Sequence, residues 1–218
     1  GMITIKAKRG AQVTVEQIRH EFWFGCAIPN NFAGGMSASN LSMFRQKFLE
    51  NFNAAVTENA LKWMIMEPRK DQVNYSVIDS ILNWTEKNNI PLRGHNLFWG
   101  IVRSPNTGQQ YVQQWVIELS DEELRQRIKE RAELITMKYK GRFAEYDLNN
   151  EMIHGNYYED RLGPEITKLM AEWAHNGDPD AKLWLNDYDI LIPKQESPLG
   201  IGLPEYLAQI RNLLKQGV

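Results

Sequence analysis

Along this chain, short apolar runs alternate with longer stretches in which apolar residues recur every three or four positions. The short runs cover residues 22–28, 52–57, 91–99, 142–149 and 181–190, and each predicts a strand. Between them the helical period takes over. Leu41, Phe44 and Phe48 repeat at helical spacing, as do Ile78, Ile81, Leu82 and Thr85. The third helical stretch opens on Ser120-Asp-Glu-Glu123, a capping-box pattern whose two ends satisfy each other's orphan donors. Its apolar face runs through Leu124, Ile128, Ile135 and Tyr139. The fourth puts Pro164 near a helix start and Ile166, Leu169, Met170 and Trp173 on a buried face. The fifth opens at Pro204, carries Leu207, Ile210, Leu213 and Leu214, and stops at Gly217, a residue suited to the position after a helix end. Ahead of these units, residues 3–7 and 12–18 alternate apolar and polar around Arg9-Gly10. That pattern predicts a β-hairpin in residues 1–20, leaving 21–218 as the main domain.

Strand–helix alternation repeated five times means βαβ units and a parallel sheet. A doubly wound sheet and a (β/α)8 TIM barrel both fit. Two features favour the barrel. No glycine-rich GxGxxG or Walker loop follows any strand, and polar residues concentrate at the C-terminal ends of several strands, the rim where barrel enzymes carry their chemistry. The expected fold is therefore α/β, a (β/α)8 barrel with about five βα units within these 218 residues; Val218 stands where a sixth strand is due.

Composition narrows the function classes. At 218 residues and 43% hydrophobic content the chain can bury one sizeable core. A net charge of −2 without a Lys/Arg cluster argues against nucleic acid as the partner. No apolar run approaches the ~18–20 residues that span a bilayer, so membrane insertion is not expected. The single cysteine, Cys26, excludes an internal disulfide and a CxxC metal site, and its apolar setting predicts a buried, inert thiol. Gly1-Met2 reads as the remnant of a cleaved tag, so the lack of a signal-peptide pattern carries no information.

The candidate chemistry sits where the strands end. The fourth ends Asp147-Leu-Asn-Asn-Glu151. A carboxyl at a barrel mouth is partly desolvated, which favours its protonated form and suits a general acid; a capping or salt-bridged Glu is the competing reading. The second ends with Glu58, Asn59 and Lys62, donors and acceptors for hydroxyls, although Glu58 and Lys62 at i,i+4 could equally form a surface ion pair. The third carries His95 and Trp99, a hydroxyl partner and a stacking wall, against the alternative of a satisfied core histidine. The fifth ends Asn186-Asp187-Tyr188. Each cluster is ambiguous alone, and four on successive strand ends are not.

Together these motifs resemble glycoside hydrolase family 10, the endo-β-1,4-xylanases. They are Glu58-Asn59-Ala-Leu-Lys62-Trp63, Arg93-Gly94-His95, Asn150-Glu151 and Asn186-Asp187-Tyr188, in that order. The branch that includes plant enzymes is the most similar, through Arg-Gly-His-Asn-Leu-Phe-Trp99 and Asn150-Glu151-Met-Ile-His154. The resemblance covers about residues 20–218 and implies the (β/α)8 barrel. It makes Glu151 the acid/base and Asn150 a ligand of the sugar being cleaved, in a subsite shaped by His95 and Trp99. Glu58, Asn59 and Lys62 would hold the next sugar on the non-reducing side, and Tyr188 would line the leaving-group side. Tyr146 departs from the family's usual Trp, and Gly100-Ile101 from the His and amide that many members carry after Trp99.

The resemblance further implies retaining hydrolysis of β-1,4-xylosidic bonds in xylan or xylo-oligosaccharides, with no cofactor and no metal, by a secreted or periplasmic protein. The family's nucleophilic Glu lies on a seventh strand, in a Thr-Glu-x-Asp-like motif that is not found here. These 218 residues alone are therefore expected to be inactive. Two other classes remain. One is a non-catalytic xylan-binding barrel of the same descent, which has little chemical need for Glu151. The other is a phosphate-handling barrel such as an aldolase, whose Schiff-base lysine is not evident on the strands present.

Overall fold

The computed structural model describes residues 2–18, 20–104, 107–193, 196–197 and 200–218. Five parallel strands form its main sheet: β1 (Gly25–Ile28), β2 (Ala54–Thr57), β3 (Leu92–Gly94), β5 (Glu145–Asp147) and β7 (Lys182–Trp184), in the spatial order β1-β2-β3-β5-β7. Each strand pairs with the next one along the chain, and the order never reverses. Right-handed crossovers that always step the same way leave all helices on one face, as in a singly wound barrel; a doubly wound sheet reverses at a switch point. Strand order thus decides between the two architectures that the alternation alone left open.

Two expected strands are split. Residues 91–99 form β3 and then β4 (Phe98–Trp99), while 142–149 form β5 and then β6 (Asn149–Asn150). β4 and β6 pair in a second small ladder, Phe98 with Asn149 and Trp99 with Asn150. The split carries the chain out of the main sheet at its C-terminal rim, so His95, Trp99 and Glu151 stand on a ledge above it. The fifth expected strand, 181–190, shortens to the three residues of β7, because Asn186 to Tyr188 turn into rim contacts.

The predicted helices are present as α1 (Ala38–Asn51), α3 (Ser76–Lys87), α5 (Asp121–Lys138), α7 (Ile166–Gly177) and α8 (Leu203–Gln216). Three one- or two-turn helices join them: α2 (Trp63–Met66), α4 (Gln114–Ile117) and α6 (Tyr157–Leu162). The capping box forms at α5: Ser120 Oγ accepts from Glu123 N–H, and Glu123 Oε2 accepts from Ser120 N–H at 2.9 Å. Helix α8 ends on Gly217 in the left-handed conformation, φ 84°. Its apolar face is only partly used: Leu213 is buried, whereas Leu207 and Leu214 are exposed. In α7, Ile166 and Met170 are buried and Leu169 and Trp173 half-buried.

The core packs α3, α5 and α7 against the sheet through Ile78, Leu82, Leu124, Ile128, Ile135 and Met170. Gly94 lets β3 approach the next strand. A Cβ there would lie 2.6 Å from Tyr146 Cδ1 and 2.7 Å from Leu61 Cδ2. Cys26 is half-buried in β1 rather than fully buried.

The hairpin expected in residues 1–20 is not formed among the described residues; Gly1 and Arg19 lie outside them. The turn exists, with Gly10 at φ 85° and Ala11 N–H donating to Lys8 C=O, but no ladder joins its arms, whose side chains are exposed. A two-stranded ribbon without a surface to pack on is marginal in water. Among the described residues, β1 and β7 each have one sheet neighbour.

Candidate functional site

The rim above β2, β3, β5 and β7 gathers the candidate side chains. Glu151 follows β6 with its backbone in the left-handed region, φ 59°, a conformation that costs a non-glycine residue about 1–2 kcal/mol. Contacts from the neighbouring unit hold it there. Glu151 N–H donates to Asn186 C=O at 2.9 Å, Ile153 N–H donates to Asp187 Oδ2 at 3.3 Å, and His154 Nδ1 lies 2.9 Å from Asp187 Oδ1. The His154 ring stacks on Tyr188 at 3.7 Å. Burial pushes the Asp187 carboxyl up, with the Glu151 charge adding to it, against the hydrogen bonds from His154 and Ile153.

The Glu151 carboxylate accepts a hydrogen bond from Trp99 Nε1–H at 2.9 Å. Trp99 in turn stacks on Tyr111, with ring centroids 4.1 Å apart, and the Lys62 ammonium lies 4.4 Å from its ring centroid. Its ring thus carries contacts from Tyr111 and Lys62 besides the bond from its indole N–H to Glu151. Lys62 forms no ion pair among the described residues, so the expected alternative of a Glu58–Lys62 surface pair is absent. Burial lowers the Lys62 pKa, and the nearby charges of Glu151 and Glu58 oppose that shift. Glu58 is exposed and Asn59 half-buried at the end of β2.

His95 is fixed from two sides. Its backbone N–H donates to Thr57 Oγ1 at 2.8 Å, and Thr57 Oγ1–H donates to His95 C=O at 3.0 Å. Its Nδ1 lies 2.7 Å from Asp147 Oδ2, while Arg93 donates to Asp147 Oδ1 through Nε at 3.1 Å and through a second, shorter contact. Burial of Asp147 would raise its pKa, but the bonds from His95 and Arg93 and the Arg93 charge outweigh it and hold the carboxyl below its ordinary range. An ionised carboxylate only accepts, so Nδ1 of His95 carries a proton and Nε2 remains for other chemistry.

Several buried amides at this rim lack a protein partner among the described residues: Asn150 Oδ1, Asn149 Oδ1, Asn186 Oδ1 and both polar atoms of the Asn96 side chain. An unsatisfied buried polar atom costs about 1–3 kcal/mol, so these atoms call for partners beyond the described protein groups, water included. Trp99 touches both Lys62 and Glu151, Asn150 is buried next to Glu151 in the chain, and Tyr188 stacks on His154. Asp147, Arg93, Asp187 and His154 stood within the quoted motifs without a role of their own, and Thr57 and Tyr111 were not singled out. Arg93 and Asp147 were findable in principle, because positions two apart on a strand share a face with His95 and Asn149.

Residues 15–218 match the profile of glycosyl hydrolase family 10. Endo-1,4-beta-xylanase 1 of Arabidopsis thaliana is 41% identical over 183 residues, 83% of this chain and 18% of that protein. Anti-sigma-I factor RsgI6 of Acetivibrio thermocellus is 34% identical over 182 residues, 84% of this chain and 22% of that protein. Among solved structures, xylanase 10B from Thermotoga petrophila in complex with xylobiose superposes with a TM-score of 0.73 at 26% identity, covering 90% of this chain and 57% of that one. The chain thus spans about a fifth of these curated relatives and somewhat over half of that solved chain. With its monotonic strand order and its rim chemistry, this chain belongs to glycosyl hydrolase family 10 and has the architecture of that family's (β/α)8 barrel.

Proposed function

We propose that the rim is the acid/base and non-reducing-side half of a retaining endo-1,4-β-xylanase site acting on xylan. The observation that carries this reading is the Glu151 carboxylate. It is held by the Trp99 indole and flanked by unpaired buried amides, on a turn that the neighbouring unit clamps. In the first step a second carboxylate attacks the anomeric carbon, and the glycosidic C–O bond breaks as Glu151 gives its proton to the departing oxygen. In the second, Glu151 takes a proton from water, whose oxygen bonds to the anomeric carbon and releases the second carboxylate. That partner must stand about 5–5.5 Å away; the family resemblance puts it on a seventh strand. Asn150 and His95 would bond the hydroxyls of the sugar being cleaved, and Glu58, Asn59 and Lys62 those of the next sugar. Tyr188, backed by His154, would line the leaving-group side. A polymeric substrate does not cross membranes, so the proposed place of action is outside the cytoplasm, secreted or periplasmic. Among the described residues no helix is long and apolar enough to cross a membrane.

A glycan-binding role without turnover is the second reading. A relative named as an anti-sigma factor favours keeping it, because this chain is also similar to a protein that is not named as a hydrolase. One experiment separates the two. In a chain carrying all eight strands, Glu151→Gln is expected to abolish xylan hydrolysis nearly completely. It should spare the first step on an aryl xyloside whose leaving group needs no proton. Equal loss on both substrates removes the acid/base assignment, and no turnover by the parent barrel favours binding alone.

A further inference from the structure

We propose that Arg131, on the outer helix α5, is a positioning residue for the rim: its guanidinium fixes the loop that carries Lys62 against the segment that carries His95. The inference rests on the glycan-directed reading of the rim and deepens it, because those two residues are proposed to hold adjacent sugars. Nε of Arg131 donates to Leu97 C=O at 2.7 Å. Its Nη2 donates to Leu61 C=O at 2.6 Å and to Asn96 C=O at 3.5 Å. Leu61 immediately precedes Lys62, and Asn96 immediately follows His95. One planar group thus bonds the rim loops of two neighbouring units, 34 and 35 positions away for one loop and 70 for the other.

Arg131 is only 6% exposed and forms no ion pair among the described residues. Burial lowers its pKa to about 10, so it remains a cation at neutral pH. The carbonyls and the Trp63 ring, whose centroid lies 5.4 Å from Cζ, stand in for a counter-ion. Taking an ion out of water in this way is expensive, and well-packed apolar side chains in place of buried charges are often neutral or stabilising. Stability alone therefore does not account for a guanidinium here. A fork with fixed N–H directions does what an apolar chain cannot: it sets the spacing of two backbone segments. Thr57 ties His95 to β2 at the strand end, and Arg131 adds a second tie four residues further on, at Leu61. The guanidinium does not face the sugar positions. Arg131 lines an outer cleft of about 250 Å³ with Glu67, Tyr75 and Leu134, whereas Lys62 and Trp99 border the rim.

The test compares para-nitrophenyl β-xyloside with para-nitrophenyl β-xylobioside as substrates of a chain carrying all eight strands. The first fills only the sugar position at His95, and the second also fills that at Lys62. The quantity read is the ratio of kcat/KM for the xylobioside to that for the xyloside, from which the amount of folded enzyme cancels. Arg131→Lys keeps the charge without the fork, and Arg131→Met loses both. Each is expected to lower the ratio by on the order of tenfold, the worth of a hydrogen bond to a charged group. Ile128→Ala, one turn earlier on α5 and also buried, should lower the melting temperature and leave the ratio unchanged. A ratio unchanged in both Arg131 variants, or lowered as much by Ile128→Ala, overturns the assignment and leaves the proposed function standing. If neither Arg131 variant folds, the guanidinium is a stability element and the assignment falls as well. A parent barrel that hydrolyses neither substrate, or does not prefer the xylobioside, removes the reading of the rim and the role of Arg131 with it.

Discussion

Tyr146→Phe offers a sharp test of the packing beneath the site, at the position where this chain departs from the family's usual Trp. Tyr146 is fully buried between Phe143, Gly94 and Leu61, and its hydroxyl has no partner among the described residues. Burying a hydroxyl without a hydrogen bond costs about 1–3 kcal/mol in proteins. Removing it leaves a void of roughly 10 Å³, worth about 0.2 kcal/mol at ~24 cal/mol per Å³. The variant should therefore be more stable by about 1–2 kcal/mol, which for a domain of this size raises Tm by roughly 3–6 °C. A second signature lies in alkali. Burial, followed by the Asp178 charge, pushes the Tyr146 phenol up from its ordinary value of 10.0. A folded-state pKa above the unfolded one gives stability that is intact below pH 10 and is lost as pH rises beyond it. The Phe variant should therefore lose stability less steeply above pH 10, by about 1.4 kcal/mol per pH unit. Urea denaturation at pH 7 and across pH 9–11 measures both. A Phe variant less stable than the parent by 1 kcal/mol or more at pH 7 would show that the hydroxyl is bonded, and the argument would fail.

Other perturbations test the rim. Gly94→Ala forces a Cβ against Tyr146 and Leu61 and is expected to cost about 1–3 kcal/mol in denaturant melts; an unchanged midpoint would mean that β3 moves freely. Asp147→Asn removes the charge and turns one of the two oxygens that accept from His95 and Arg93 into a donor, and should cost about 2 kcal/mol or more at neutral pH. Because the Asp147 pKa is lowered from 3.8, its contribution is present above that pH and is lost as pH falls below it, so the Asn variant should lack that part of the acid limb. Lys62→Ala should weaken xylobiose or xylotriose binding by on the order of tenfold or more, the worth of a hydrogen bond to a charged group; an unchanged affinity would remove Lys62 from the site.

The fold was legible where physics is local. The 3.6 period and the capping box at Ser120–Glu123 describe interactions within one turn, and α5 follows them closely. The βα alternation fixed the class, but the step from alternation to barrel needed the strand order, which is a property of pairing. The failures share a cause. The arms of the expected hairpin alternate well enough, yet they have nothing to pack on. Helix α8 has the right apolar period, yet Leu207 and Leu214 remain exposed because period says nothing about what lies opposite. Residues 91–99 read as one run, although a second ladder between β4 and β6 divides them.

The site shows the same boundary more sharply. Residue type and strand-end position marked Lys62, His95, Trp99, Glu151 and Tyr188 as rim candidates, each ambiguous alone, and the role expected of Asn150 came only from the family resemblance. What holds them could not be read that way. Glu151 occupies a left-handed conformation that no residue in its own segment demands, and the groups that stabilise it come from 35 and 36 positions further on: Asn186 C=O and the Asp187 carboxylate. The same Asp187 bonds His154, which backs Tyr188. The carboxylate and the aromatic on the proposed leaving-group side are thus set by one cluster joining two adjacent units. Their relative placement depends on β7 pairing correctly with β5. Because β7 has a single sheet neighbour among the described residues, whatever steadies that strand also steadies the Glu151 turn.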